Sequence, residues 1–280
     1  MQVRKPAVAG QFYPSDPKEL SQLIDECYLH PIGPGREPPV PSSKSEFVAV
    51  VCPHAGYIYS GPVMAHSYLH VSSLRKPDLI VVVAPNHYGI GSGVSTFKEG
   101  VWETPIGRMR VDSSAAKALV ESAEIVAFDP DAHRLEHSLE VQLPFLQKIY
   151  GDSVPLLPVS LVFQDIDTAR TLSEAIAKVV RGKRAVLVAS SDFTHYEPAD
   201  QARKKDMALI EQILKMDVEG FYSTLESLSV TACGFGAMAT IMETARALGL
   251  QKAELLKYAS SGDTSGDNLQ VVGYGALRFV

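Results

Sequence analysis

Short, wholly apolar runs recur along the chain, separated by segments of helical period. Three show the pattern most plainly: "FVAVVC" (47–52), "DLIVVVA" (78–84) and "RAVLVASSDF" (184–193). None alternates apolar with polar as a half-exposed strand would, so each is predicted as a strand covered on both faces. Amphipathic segments lie between them. "KELSQLIDECYLH" (18–30) sets Leu20, Leu23, Ile24 and Cys27 at helical spacing behind a capping Asp16. "TARTLSEAIAKVVRGK" (168–183) lines one side with Leu172, Ala175, Ile176, Val179 and Val180. Further helices are expected over 63–73, over 113–123 with a serine cap, over 140–151 with Pro144 near its start or at a kink, and over 206–216, 218–229 and 234–249. "VWETPIGRMRVD" (101–112) reads as a hairpin or edge pair, "VPLLPVSLV" (154–162) as a strand broken by prolines, and 253–261 and 271–280 as closing strands. Buried strands alternating with such helices predict one layered α/β/α domain over residues 1–280, with a central mostly parallel or mixed sheet. The Pro/Gly-rich stretch 31–46 is expected to be a surface loop within it.

With 280 residues and 46% hydrophobic content, the chain can bury a sizeable core. Its formal net charge of −6 gives no general reason to bind nucleic acid or an anionic membrane, and the short cluster Arg203-Lys204-Lys205 reads as a solvated helix face. No apolar run approaches the roughly 20 residues of a membrane helix. The basic N-terminal segment is interrupted by Pro6, Gly10 and Pro14, so it does not read as a signal peptide. Three widely spaced cysteines, Cys27, Cys52 and Cys233, argue against a disulfide framework and for a reducing cytoplasm.

The candidate chemistry sits at the strand ends. The first run terminates in Cys52-Pro53-His54 and the second in Pro85-Asn86-His87, each followed by glycines. Ligands of open α/β sheets sit outside the carboxyl ends of strands, so two histidines in matched positions suggest two ligands aimed at one point. "SSDFTHY" (190–196) adds Asp192 and His195, and "DAHRLEHSLEVQLP" (131–144) adds His133, Glu136, His137 and Glu140. "VTACGFGAM" (230–238) places Cys233 at the start of a helix, where backbone N–H groups favour the thiolate that binds metal; a lone cysteine equally packs as a small hydrophobe. Cys52 reads as core. His66 and His70, four apart, lack a carboxylate partner and read as structural, and His30 as a loop residue. Without a Gly-x-Ser-x-Gly elbow, Ser190, Ser191, Asp192 and His195 do not make a hydrolase site. "GIGSG" (89–93) lacks the ending of a phosphate loop, and the acidic "SGDTSGD" (261–267) reads as a tight glycine turn whose aspartates cap backbone N–H groups.

Seven motifs, "RKPAVAGQFYP", "PHAGYIYSGP", "PNHYG", "EHSLEVQLPFLQ", "SSDFTHY", "TACGFGAM" and "SGDTSGD…VVGYGA", occur in this order from about Val3 to the C-terminus. Together they resemble the Memo family, the B component of the AmmeMemoRadiSam set. The resemblance implies a fold similar to the class III extradiol (LigB-like) dioxygenases, which use non-haem Fe(II). It implies a metal triad at His54, His87 and Cys233, the position of a catalytic base at His195 with Asp192 beside it, and His137 and Glu140 in the same pocket. It also implies partners from that set, an AMMECR1-like protein and a radical SAM protein. Cys233 stands where the dioxygenases carry a carboxylate; a thiolate turns preference towards copper or zinc while keeping Fe(II) in range, so one Fe(II) or Cu ion is expected, with Zn compatible. Fold similarity alone does not carry dioxygenase activity across. Three readings stay open. One is a metal-dependent oxidoreductase in which His195 moves a proton, its tautomer set by Asp192 or a backbone carbonyl. The second is a non-catalytic iron- or copper-binding protein. The third is a partner- or peptide-binding protein that reuses the cleft, with Tyr57, Tyr59 and Tyr88 around its mouth.

Overall fold

The computed structural model describes residues 2–39, 41 and 45–280; positions 40 and 42–44 of the 31–46 loop lie outside them. Strand β1 (Val3–Arg4) precedes helix α1 (Pro17–Leu29), whose cap Asp16 accepts from the N–H groups of Lys18 and Glu19. β2 (Phe47–Cys52), α2 (Tyr57–Val71) and β3 (Leu79–Pro85) follow. After β4 (Val94–Thr96), the hairpin of β5 (Val101–Thr104) and β6 (Gly107–Arg110) joins β1 in a small separate sheet. α3 (Ser113–Ser122), β7 (Val126–Phe128) and α4 (Asp131–Arg134) lead to a 3-10 turn at Glu140–Gln142, α5 (Leu143–Tyr150) and β8 (Leu156–Leu161). The remainder is α6 (Ile166–Val180), β9 (Ala185–Ser190), β10 (His195–Glu197), α7 (Ala199–Leu214), α8 (Val218–Ser227), α9 (Phe235–Ala247), β11 (Ala253–Ser260), α10 (Gly262–Ser265) and β12 (Val271–Phe279).

The main sheet runs in the order β10-β12-β2-β9-β3-β8-β4-β7, with β11 also on β12. Its centre, β2-β9-β3-β8, is parallel; β12 pairs antiparallel with β2, and β4 with β8. The sheet is therefore mixed with a parallel heart. Every residue of β3, β8 and β9 is buried, as runs without alternation require. Helix α2, with α1 packed on it, lies against β2 and β12, and α9, with α6 packed on it, against β9 and β3. Each valine so enclosed contributes about 1.5–3 kcal/mol, which makes the strand ends a stiff platform for whatever they carry. Among the described residues, no helix is long and apolar enough to cross a membrane.

Four local expectations change. The helix expected over 63–73 begins earlier, α2 starting at Tyr57, three residues after His54. Gly61 is needed there because a Cβ would stand 2.4 Å from Cys27 Sγ, so glycine is what lets α1 lie against α2. Pro62, inside the helix, removes the hydrogen bond to the carbonyl of Ile58, a residue on the solvated side. β8 is not broken by Pro158. Its carbonyl accepts from Thr96 Oγ1 at the end of β4, so the missing N–H faces a place where the ladder has run out. The cap of α3 is Asp112, which accepts from Ser114 and Ala115, rather than a serine. Finally, the turn at 261–267 contains a single helical turn, α10, ended by Gly266 in the left-handed region; its aspartates do cap, Asp263 accepting from Ser260 N–H and Asp267 from Leu269 N–H.

Candidate metal centre

β9 lies between β2 and β3, so the chain leaves β2 and β3 about 10 Å apart, two strand spacings. Two imidazoles leaning inward over the end of β9 close that gap, and the ring centroids of His54 and His87 are 5.2 Å apart. Cys233 arrives from the loop ahead of α9. Its N–H donates to Asp192 O at 3.3 Å, and the next N–H, of Gly234, donates to Ser191 Oγ at 2.9 Å. A Cβ on Gly234 would meet Ser190 O at 2.3 Å, so only glycine lets this loop come so near the strand end. Cys233 Sγ ends 3.1 Å from His54 Nε2, and the ligand atoms of His54, His87 and Cys233 all lie within 4.8 Å of one another.

The hydrogen-bond network fixes which imidazole nitrogen faces the sulfur. Two carbonyls, Pro53 O and Ser138 O, can only accept. Gln142 must therefore turn its amide nitrogen to Pro53 O (2.9 Å), and the same nitrogen donates to Ser190 Oγ (2.7 Å). Ser190 gives its single proton to Ser138 O (2.7 Å). His54 Nδ1, 2.9 Å from Ser190 Oγ, has to be the donor, which leaves a lone pair on Nε2. Tyr68, donating to Gln142 Oε1 at 2.7 Å, completes the set. His87 is held by Glu136, which accepts from His87 N–H and, at 2.9 Å, from Nδ1. Burial would raise the Glu136 pKa, but the hydrogen bond from His87, the charges of His87 and His137 and the N–H of Ser138 bring it down to about 2. An ionised carboxylate only accepts, so His87 donates Nδ1–H and, as a neutral imidazole, presents Nε2 as its free acceptor. This carboxylate–histidine arrangement is the usual outer support of a metal ligand. Glu136→Gln is expected to weaken metal binding about 10- to 100-fold, with unchanged stoichiometry at saturation, in a competition titration against a chelator.

At Cys233 burial competes with the helix terminus. Cys233 Sγ accepts from Asp192 N–H at 3.3 Å, as a helix-terminal thiolate would want. Burial and the Asp192 carboxylate outweigh that bond and push the thiol pKa up in the metal-free protein, with Sγ 3.1 Å from His54 Nε2. Burial drives the His54 pKa well down, with the neighbouring histidines adding to it, and drives that of His137 down to about 4. His137 stacks on His87 with centroids 4.7 Å apart and touches Phe12 on its other side. His195 donates Nδ1–H to Thr231 O (3.0 Å), so of the two expected tautomer-setting partners it is the backbone carbonyl that acts. Asp192 instead accepts the N–H of His54 at 2.8 Å, and burial raises its pKa to about 6.

His54, His87, His137, Asp192 and His195 all line one open cavity of about 630 Å³, and Cys233 lies behind that lining with Sγ 3.1 Å from His54 Nε2. Three expected pocket residues do not line it. Glu140 faces away and binds the N-terminal segment, accepting from Arg4, Ala7 N–H, Val8 N–H and Tyr13 OH. Tyr57 is fully buried, its hydroxyl on Val141 O at 2.6 Å, because the helix that starts there turns it into the core. Tyr88 is exposed but outside the lining. His133 is buried against Phe97 and Trp102, away from the cluster. Missed from the site were Glu136 as a partner of His87, Ser190 and Gln142, Phe12, and the far wall formed by Tyr196 and the segment from Ser261 to Tyr274. The quoted motifs contained Glu136, Ser190 and Gln142, but nothing in their spacing says which histidine each supports.

These features define a class: a mixed α/β protein with a His–His–Cys cluster at the carboxyl edge of its parallel strands, opening onto a cavity. A family model described as "Memo-like protein" matches residues 4–278. A MEMO1 family protein from Methanopyrus kandleri is 47% identical over 278 residues, covering 99% of this chain and 98% of its own. Another, from Desulfurococcus amylolyticus, is 48% identical over 283 residues, covering 100% and 99%. The chain belongs to the Memo family. Among solved structures, an uncharacterized protein from Escherichia coli K12 is similar with a TM-score of 0.51 at 15% identity, over 83% of this chain and 99% of that one, a likeness of fold alone.

Proposed function

We propose that this Memo family protein holds one transition-metal ion, Fe(II) or copper with zinc also compatible, at His54, His87 and Cys233, and serves as a metal-dependent oxidoreductase on a small molecule in the adjoining cavity. The observation that carries the reading is the pair of fixed tautomers. Two acceptor nitrogens converge on one sulfur, each held by a partner on its far side. Such a donor set, two borderline imidazoles and one soft sulfur, suits these ions, and three protein ligands leave a position free, unlike a closed structural site. The bound ion would supply a Lewis-acidic, redox-active centre. The chain's own residues do the rest. Glu136 and Ser190 orient the imidazoles, and Cys233 releases its proton as the sulfur becomes a ligand. His195, with Nδ1–H on Thr231 O, offers Nε2 to take a proton from a molecule in the cavity. Phe12, Tyr59 and Tyr274 supply aromatic wall to the same cavity.

The alternative of metal carriage without turnover is favoured by one observation, the exposure of His87, which leaves the cluster reachable by a second protein. Anaerobic loading with Fe(II), then oxygen exposure with a panel of catechols, separates the two. The oxidoreductase reading expects oxygen uptake that His195→Ala reduces about 10²- to 10⁴-fold at unchanged metal content. Uptake no greater than that of the variant assigns the site to carriage.

A further inference from the structure

Resting on the proposed site, we propose further that the cavity takes a small ring-bearing amine with its cationic end outward, and discriminates against anions. The charges of the lining point this way. Asp192 stands at the floor and Asp267 at the rim, and among the described residues no lysine or arginine lines the cavity. Behind the wall, Arg4 is committed to Glu140 and to the carbonyls of Glu136 and His133. A divalent ion on two neutral imidazoles and a thiolate carries one net positive charge, and the adjacent Asp192 carboxylate offsets it. The floor therefore does not attract a second anion, and the rim is the negative end. One Asp267 oxygen is used by Leu269 N–H at 2.9 Å, and the other is free for an ammonium group.

The walls between floor and rim are aromatic: Phe12, Tyr59, Tyr196 and Tyr274. Ring faces attract both a ligand ring and an adjacent cation. Tyr196 is held at φ +58°, a left-handed conformation that a bulky side chain adopts only at a cost. It is 72% exposed, so packing does not demand the residue. What the conformation achieves is to set the ring at the cavity rim, 5.8 Å from that of His195.

The test compares phenethylamine, phenethyl alcohol and hydrocinnamate, alike in ring and length but cationic, neutral and anionic. Each is titrated by calorimetry or saturation-transfer NMR into the full chain, metal-free and zinc-loaded. The amine is expected to bind about tenfold more tightly than the alcohol and the carboxylate most weakly. Asp267→Asn should bring the amine down to the level of the alcohol and leave the alcohol unchanged. Tyr196→Gly should weaken both several-fold without lowering the Tm, since glycine takes that φ freely; a ring that merely packed would lower the Tm instead. Carboxylate binding as tight as the amine in the metal-free protein, an amine affinity indifferent to Asp267→Asn, or no binding of any probe at millimolar concentration overturns the proposal. The titration needs no metal, so its failure leaves the metal reading standing, and a failed metal reading leaves the metal-free result intact.

Discussion

Cys233→Ser is expected to lower affinity for a divalent transition metal about 100-fold or more, the upper end of what even an outer-shell change costs, and to leave the fold in place. Cys233 sits in the loop ahead of α9, outside the packed core, and serine keeps its size. The same variant should lose a pH dependence. Because burial and Asp192 raise the thiol pKa, the metal-free site is protonated through neutral pH, and each ion that binds must release one proton. Apparent affinity then rises about tenfold per pH unit while the thiol is protonated in the free protein. His54 adds no further slope near neutrality, because its pKa is pushed well down and it is already neutral. Serine has no proton to release in this range, so its weak residual binding should be flatter with pH. Chelator competition at several pH values reads both effects. Equal affinities and equal slopes in the two proteins would place the metal elsewhere.

The largest expected effect on stability lies behind the site. Glu140 is completely buried and receives the Arg4 guanidinium, two backbone N–H groups and the Tyr13 hydroxyl. Glu140→Ala strands a buried cation and leaves those donors unfilled, which costs about 3–5 kcal/mol for the broken ion pair. A Tm loss on the order of 10 °C follows for a chain of this size. Metal affinity, in contrast, should fall far less, because Glu140 reaches the cluster through Arg4, which donates to the backbone carbonyl of Glu136 and not to the carboxylate that holds His87. A stability like that of the wild-type protein combined with a large loss of metal would return Glu140 to the pocket.

That residue shows where sequence reasoning stops. Glu136, His137 and Glu140 have spacings that would share a helix face, but the chain between α4 and the 3-10 turn is not helical, so Glu140 faces the opposite way. Tyr57 fails similarly: the helix begins at Tyr57 and not at Val63, and its first turn directs Tyr57 inward. The strand-end histidines, by comparison, were legible because an apolar run of fixed direction leaves little freedom for the residue just beyond it. Cys233 joined them through family resemblance; local sequence left it equally a core residue. Its protonation in the metal-free protein is not legible locally, because burial, a tertiary property, competes with the helix terminus. The wall from Ser261 to Tyr274 was invisible because antiparallel pairing of β12 with β10 brings it over the site from the far end of the chain.

The most direct measurement is X-ray absorption at the zinc edge on protein loaded with one equivalent of metal, beside Cys233→Ser. Wild-type protein should show one sulfur at about 2.3 Å and two imidazole nitrogens at about 2.0 Å, with the sulfur shell gone from the variant. A first shell of nitrogen and oxygen only in the wild-type protein, or a sulfur shell that survives the substitution, would contradict a metal held by His54, His87 and Cys233.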